Sequence, residues 1–502
     1  MKIFLKKISV FVIIFLSFLI YYSTIWTLKT FGDVSIEEII FNLKVPMSGV
    51  NTDYIIDYIK QCIFPSAGFS IIIFIIPILE RKREIAINIT IVDKKFKVAP
   101  LKYIKKFSVF LAFILLIASC SFSTKALNIN EYAKNEFENS KFLEENYKSV
   151  SDIDIKFPEN KRNLIYIYLE SMEYTYASQE CGGYLKENII PELTEIASDN
   201  INFSFTDNLG GLIPMYGSTW TMGAIFAQTS GLTLKLPIYG NNMDQYSTFM
   251  QGVKNLGEIL ENNGYHNVLM LSSDAAYAGR KNYFEQHGNY EIYDYYSAID
   301  EGKISEDYYE WWGYEDIKLF EYSKEKLLKL SSENVPFNFT MLTTDTHFED
   351  GYFCPLCETI HDDQYSNVIS CSSKQVSEFI NWIKGQDFYD NTTIILVGDH
   401  TTMDVDFCES VDSSYRRGVY NAFINSAAQP KKIKNRYATT MDMFPTMLAS
   451  LGADIEGNRL GLGTNLFSNE QTILEQNNND VESVNDELRK KSLFYNKTFL
   501  YS

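Results

Sequence analysis

Along the chain the apolar positions follow two regimes that change near residue 122. Before it, the stretches 8–26, 62–79 and 107–122 run without a charged side chain. They predict three helices able to cross a hydrocarbon core about 30 Å thick, the third only just. After it, short β-forming runs alternate with amphipathic stretches of helical period. Runs at 163–169, 267–271, 336–342 and 392–397 predict strands, while 191–200, 245–263, 314–330 and 374–386 predict helices, the second stopped by Gly264. Alternation of this kind implies an α/β domain with a largely parallel sheet flanked by helices. The expected layout is a three-helix transmembrane anchor over 1–127, a polar linker over 128–158, the α/β domain over 159–468 and a polar tail over 469–502.

Charge orients this layout. Lys2, Lys6 and Lys7 precede the first run, but Tyr21, Tyr22 and Trp26 follow as an interfacial belt with no small-residue cleavage site, so the run reads as an uncleaved anchor. Between the second and third runs lie Arg81, Lys82, Arg83, Lys94, Lys95, Lys97, Lys102, Lys105 and Lys106. The first loop has Lys29, Lys44 and Lys60 against Asp33, Glu37, Glu38, Asp53 and Asp57. The excess of positive loop charge puts the N-terminus and second loop in the cytoplasm and everything beyond residue 122 outside the cell membrane. Over 502 residues, 64 Asp+Glu outnumber 45 Lys+Arg for a net charge of -19. That balance excludes nucleic acid as the main partner, which requires a dense cationic surface.

Cys181, Cys354, Cys357, Cys371 and Cys408 fall in the outer part. The compartment is oxidising and the chain has no second cysteine pair at zinc-site spacing. A disulfide among Cys354, Cys357 and Cys371 is therefore expected.

Candidate chemistry gathers where the predicted strands end, at Glu170, Asp274, His347, Asp399 and His400. Open α/β sheets bind ligands beyond the carboxyl ends of their strands. A single carboxylate there is commonly a helix cap. Two of only five histidines, however, sit at such ends, one of them beside Asp399. His266, His287 and His361 are assigned no chemistry. Residues 210–231 add glycines and hydroxyls leading into a short apolar helix closed by Gly231. Ser218, Thr219 and Thr221 thus stand at a helix N-terminus, where free N–H groups favour a phosphate or an alkoxide, or where a hydroxyl serves merely as a cap.

Taken in order, Leu169 to Ser171, Gly217 to Thr221, Asp345 to His347 with Asp350 and Gly351, Gly398 to His400, Asp442 to Thr446 and Arg459 to Gly463 carry a resemblance. Over 160–468 the chain resembles the membrane phosphoglycerol transferases, which comprise lipoteichoic acid synthases and osmoregulated-glucan phosphoglycerol transferases of the sulfatase and alkaline phosphatase superfamily. The resemblance implies a sulfatase-like catalytic domain with one divalent metal held by Glu170, Thr221, Asp399 and His400, and with His347 near the transferred phosphate. In sulfatase-like chains the nucleophile opens a helix ten residues before an equivalent glycine. Counted back from Gly231, that is Thr221, with Thr219 as the alternative. Arg280 matches a substrate-binding arginine of the synthases. An oxygen-rich ligand set suits Mn²⁺ first, then Mg²⁺ or Zn²⁺. The implied reaction moves glycerol phosphate from phosphatidylglycerol in the bilayer to a hydroxyl of a cell-envelope glycan or teichoic-type polymer through a phosphothreonine. A phosphoethanolamine transferase or a metal-dependent phosphodiesterase or phosphatase on the same scaffold is the alternative, and an inactive binding or sensor protein is the alternative of another class. Thr221 to Ile225 lacks the Cys/Ser-x-Pro-x-Arg signature of arylsulfatases.

Overall fold

All four predicted strands form, and they form one sheet. In the computed structural model, which describes residues 2–32, 34–44, 52–79, 87–91, 94–98, 100–235 and 249–500, the strands are β1 (Asn163–Leu169), β2 (His266–Leu271), β3 (Glu291–Tyr293), β4 (Phe337–Leu342), β5 (Thr392–Gly398) and β6 (Asn421–Ile424). Their order is β3-β2-β4-β1-β5-β6, parallel throughout except for β6, which pairs antiparallel with β5. β3 and β6 escape the apolar pattern because they are only three and four residues long.

β1 shows why the runs read as uninterrupted apolar sequence. Leu164, Tyr166 and Tyr168 enter one core, while Ile165, Ile167 and Leu169 enter the other. Alternate side chains of a strand point to opposite faces, and a sheet covered on both sides needs apolar residues on each. Each such side chain contributes about 1.5–3 kcal/mol by leaving water. The helices Pro191–Asp199 and Asp316–Ser331 lie close to their predicted positions. Helix Gln364–Lys384 starts earlier than expected, capped by Asp363. The stretch 245–263 yields only Leu256–Asn262, opened by a capping box of Asn255 and Glu258; residues 245–248 lie outside the described residues.

Two compact units divide the chain. The smaller takes Met1–Ile36 and Asn51–Lys134, and the larger takes Glu37–Val50 and Asn135–Ser502. In the smaller unit, residues 8–31 of helix α1 (Lys2–Phe31) and residues 109–126 of helix Pro100–Ala126 are long and apolar enough to cross a membrane. Among the described residues two such helices are found where three were expected. The middle run forms a π turn, Ile59–Ile63, followed by the 16-residue helix Phe64–Leu79. Thr24 Oγ1 meets Ser123 Oγ at 2.6 Å and the rings of Phe18 and Phe69 lie 5.5 Å apart, tying the helices together. Arg81, Lys82 and Arg83 of the basic loop lie outside the described residues.

Within the larger unit, Leu143 of the expected linker is buried, and Ile155 and Lys156 pair with Ile455 and Asp454. The predicted tail is packed as well, burying Ile473, Leu474, Val481, Val484, Leu488, Tyr495 and Phe499. Val481, Val484 and Leu488 recur at helical spacing within helix Val481–Arg489, a narrow stripe that the surrounding polar residues hide from a composition reading. Helix α2 (Ile36–Lys44), from the loop after α1, gives its residues from Glu37 onward to this unit.

The three expected disulfide partners converge. Cys354 Sγ lies 3.5 Å from Cys357 Sγ and 3.7 Å from Cys371 Sγ, and hydrogen bonds from these two neighbours hold the Cys354 thiol low, at about 3. Non-reducing peptide mapping of protein isolated without reductant is expected to find one link among the three. Three free thiols would refute the pairing.

Candidate active site

Register brings the first residues together. Leu169 of β1 stands opposite Gly398 of β5, so the residues that follow, Glu170 and Asp399, emerge side by side at the carboxyl edge of the sheet. A Cβ at Gly398 would lie 1.9 Å from the Met172 carbonyl oxygen, so only glycine lets the two strand ends approach. Helix α3 (Thr221–Ser230) then delivers Thr221 as its first residue. Gly231 ends that helix at φ +67°, a left-handed cap that costs glycine nothing.

Thr221 Oγ1 lies 3.5 Å from Glu170 Oε2 and 3.4 Å from His400 Nε2. His400 Nε2 in turn lies 3.4 Å from Glu170 Oε1 and 3.4 Å from Asp399 Oδ2. Glu170, Asp399 and His400 are buried, each offering a ligand atom within 4.8 Å of the others. Their orientation is secured from behind. The Ser171 and His400 amides both donate to Asp399 Oδ1 at 2.8 Å, and Ser171 Oγ donates to Glu170 Oε1 at 2.8 Å. His400 Nδ1 lies 2.9 Å from the Thr401 carbonyl oxygen; donating there fixes the tautomer that turns the Nε2 lone pair toward the carboxylates.

The two carboxylates repel each other as they stand. Burial and the neighbouring Glu170 push Asp399 up to about 7. Burial works against a charged His400, yet Asp399 and Glu170 outweigh it and hold the imidazole above its usual value. Asp399 Oδ2 is buried with no hydrogen-bond partner among the described residues. Two carboxylates, one of them with an orphaned oxygen, an imidazole lone pair and a hydroxyl form a donor set that fits a hard or borderline divalent cation.

His347 follows β4 in a loop clasped by Asp316, whose carboxylate accepts from the Thr344 amide at 2.8 Å and the Asp345 amide at 3.1 Å. Asp345 Oδ1 returns the contact by accepting from the Asp316 amide at 3.0 Å. His347 Nδ1 lies 2.8 Å from the Phe348 carbonyl oxygen, and its ring lies 4.7 Å from Trp312. Loss of solvation draws its pKa down to about 4, leaving a neutral imidazole at pH 7. The Arg280 guanidinium donates to Ser273 Oγ at 3.1 Å and to the Asp274 carbonyl at 2.9 Å, with its carbon 5.5 Å from the Tyr277 ring centre. Its charge acts on both Glu170 and His347. Asp274 closes a turn, accepting the Ala276 amide at 2.8 Å. Ser218 is also structural, donating to the Met215 carbonyl at 2.7 Å and accepting the Met215 amide at 2.9 Å.

Sequence reading missed several contributors. Gln228 of α3 donates to the carbonyls of Gly398 at 3.2 Å and Asp399 at 3.4 Å and accepts the Tyr166 hydroxyl, fastening the helix to the end of β5 and the middle of β1. An amide in an otherwise apolar helix was the available signal. Asp316 and Trp312 carried none, since each is isolated in sequence from the motifs it joins.

A parallel sheet whose carboxyl edge holds a buried Glu-Asp-His cluster facing a hydroxyl at a helix N-terminus defines a sulfatase-like domain. The family model described as Sulfatase matches residues 162–453, more than half of the chain, and the chain belongs to that family. Among its relatives, Phosphoglycerol transferase I of Shigella flexneri is 28% identical over 372 residues, which is 71% of this chain and 46% of that protein. Phosphoglycerol transferase I of Escherichia fergusonii is 29% identical over 320 residues, 62% of this chain and 40% of that protein. The chain thus spans about half the length of the curated relatives it matches. Lipooligosaccharide phosphoethanolamine transferase A of Neisseria meningitidis, an integral membrane protein, superposes with a TM-score of 0.52 at 12% identity, over 88% of this chain and 84% of that one. A protein of the alkaline phosphatase superfamily from Vibrio parahaemolyticus gives 0.50 at 18% identity, over 68% and 77%. These two likenesses concern the fold alone.

Proposed function

We propose that this protein is a membrane-anchored, metal-dependent phosphoglycerol transferase that moves glycerol phosphate from phosphatidylglycerol to a hydroxyl of a cell-envelope glycan or teichoic-type polymer. The observation that carries the reading is Thr221 Oγ1, which opens a helix within 3.5 Å of both Glu170 and His400. The names of the curated relatives supply the substrate class. Glu170, Thr221, Asp399 and His400 would hold one divalent cation, Mn²⁺ first. When bound, that ion lowers the pKa of the threonine hydroxyl and offsets charge on phosphorus.

The chain's own residues do the rest. Thr221 Oγ1 attacks phosphorus, the bond to the diacylglycerol oxygen breaks, and glycerol phosphate is left esterified to Thr221. The proton lost by Thr221 goes to the diacylglycerol oxygen. In the second half the acceptor hydroxyl attacks the same phosphorus, the bond to Thr221 Oγ1 breaks, and the acceptor's proton returns to that oxygen. A neutral His347 whose Nδ1–H is given to the Phe348 carbonyl presents a lone pair at Nε2, which suits it to carry these protons. The free N–H groups of the first turn of α3 and the Arg280 guanidinium favour the phosphate. Incubating the full chain in vesicles with phosphatidylglycerol labelled in the head group tests the reading. Label appearing on a glycan or polymer hydroxyl, with release of diacylglycerol, is expected. Free glycerol phosphate as the sole product would make the protein a phosphodiesterase, and transfer only from phosphatidylethanolamine would change the donor.

The proposed topology has the N-terminus inside and the catalytic unit outside the cytoplasm. An odd number of crossings is needed for that, and the run containing Phe64–Leu79 is the third. External protease on intact cells should cut the catalytic unit and spare the loop from Arg81 to Lys106. The reverse pattern would overturn the topology.

A further inference from the structure

An ion pair outside the donor set ties together the loops that carry it. Glu173 follows Glu170 by three residues and its side chain is fully buried, while Arg417, in the segment leading into β6, reaches in to it. Arg417 Nε donates to Glu173 Oε2 at 2.8 Å, and Nη2 donates to Oε1. The same Nη2 donates to the Thr402 carbonyl at 2.8 Å, and the Thr402 amide donates to Glu173 Oε1 at 3.1 Å. Thr175 Oγ1 donates to Oε2 at 2.5 Å, so each oxygen of Glu173 accepts two hydrogen bonds and neither is left for a metal.

The amide that Glu173 receives belongs to the same peptide unit as the Thr401 carbonyl. That carbonyl oxygen lies 2.9 Å from His400 Nδ1. One face of the peptide is thus held by the carboxylate, and the other holds the imidazole whose Nε2 points to Glu170 and Asp399. A negative charge on the N–H side polarises the peptide and makes its carbonyl a stronger acceptor, which in turn makes Nε2 a better electron-pair donor. Thr402 extends the connection to the loop of His347. Its Oγ1 meets the Tyr365 hydroxyl at 2.8 Å, that hydroxyl donates to the Thr346 carbonyl at 2.9 Å, and Thr346 Oγ1 donates to the Glu170 carbonyl at 2.6 Å.

Stability alone is a poor reason for such a pair. Both charges must leave water, and an apolar pair of similar volume commonly serves a fold as well or better. Apolar side chains cannot, however, fix the plane of a peptide through directional bonds.

We propose that Glu173, held by Arg417, is a positioning residue that orients and polarises His400 through the peptide between Thr401 and Thr402, and so sets the affinity of the site for its divalent cation. This rests on the reading of Glu170, Thr221, Asp399 and His400 as a metal site.

The test titrates the metal-free full chain, in detergent micelles, with Mn²⁺ and follows the electron paramagnetic resonance signal of the free ion. Three forms are compared with the unmodified protein: Glu173→Gln, Arg417→Lys, and the double variant Glu173→Leu with Arg417→Met, which leaves no unpaired charge buried. Each should bind Mn²⁺ about tenfold to a hundredfold more weakly, the usual effect of losing a partner behind a metal ligand. Circular dichroism should show the double variant folded, and excess Mn²⁺ should restore most of its transfer activity. Unchanged Mn²⁺ affinity in the folded double variant would make the pair structural and defeat the inference, with the metal site left standing. Loss of the fold in that variant would also defeat it, by making the pair a requirement of folding. If the unmodified protein takes up no Mn²⁺, the metal reading itself falls and the inference falls with it.

Discussion

Thr221→Ala should lower kcat by at least about three decades, equivalent to roughly 4 kcal/mol of transition-state stabilisation. Thr221 is asked both to attack phosphorus and to complete the ligand set, and alanine supplies neither oxygen. Thr221→Ser keeps the oxygen at the helix N-terminus and should retain part of the rate. Thr219→Ala, which leaves the Thr221 hydroxyl between Glu170 and His400 intact, should stay within about threefold of the unmodified protein. A trapped intermediate is the stronger check. With phosphatidylglycerol present and acceptor withheld, intact mass should rise by one glycerol phosphate, and fragmentation should place it on Thr221. An adduct on Thr219 would move the nucleophile by two residues and leave the two-step chemistry standing. Full activity in Thr221→Ala with no adduct would mean that the acceptor attacks phosphatidylglycerol directly.

Asp399→Asn and His400→Ala should each weaken metal binding at least about a hundredfold, so that protein purified by gel filtration carries almost no divalent ion. Asparagine is the informative replacement at position 399. Asp399 Oδ1 accepts two buried amides, from Ser171 and His400, and removing that oxygen would leave both unsatisfied at about 1–3 kcal/mol each. The amide keeps an acceptor for them while taking away the charge and the orphaned Oδ2. Circular dichroism should show both variants folded. Chelation of the unmodified protein should abolish transfer, and Mn²⁺ should restore it. Unchanged metal stoichiometry in both variants would remove the assignment of this cluster as a metal site.

Much of this site was legible before any coordinates. The apolar runs now seen as β1, β2, β4 and β5 end in polar residues, and a covered parallel sheet collects such ends along one edge. Glu170, His347, Asp399 and His400 were therefore candidates from local pattern alone, and the glycine-rich approach to α3 marked a hydroxyl at a helix start. Choosing Thr221 among three hydroxyls needed the resemblance. In the structure Thr221 faces the cluster while Ser218 is spent on the turn at Met215.

What the chain determined by itself was local: which segments bury one face or two, where they stop, and which of them suit a bilayer. The alternation of side chains in a strand and the recurrence of apolar positions in a helix are set by backbone geometry, so neighbouring residues suffice to show them. Tertiary structure alone decided which distant segments meet. Glu38 comes under the influence of His400 across more than three hundred residues, Asp316 clasps the loop before His347, and the polar-looking segment after residue 468 buries Val481, Val484 and Leu488 against the same core that holds Trp220. No periodicity records such meetings, because they depend on how strands pair and loops close, and a short stretch of sequence looks the same whichever partner finally covers it.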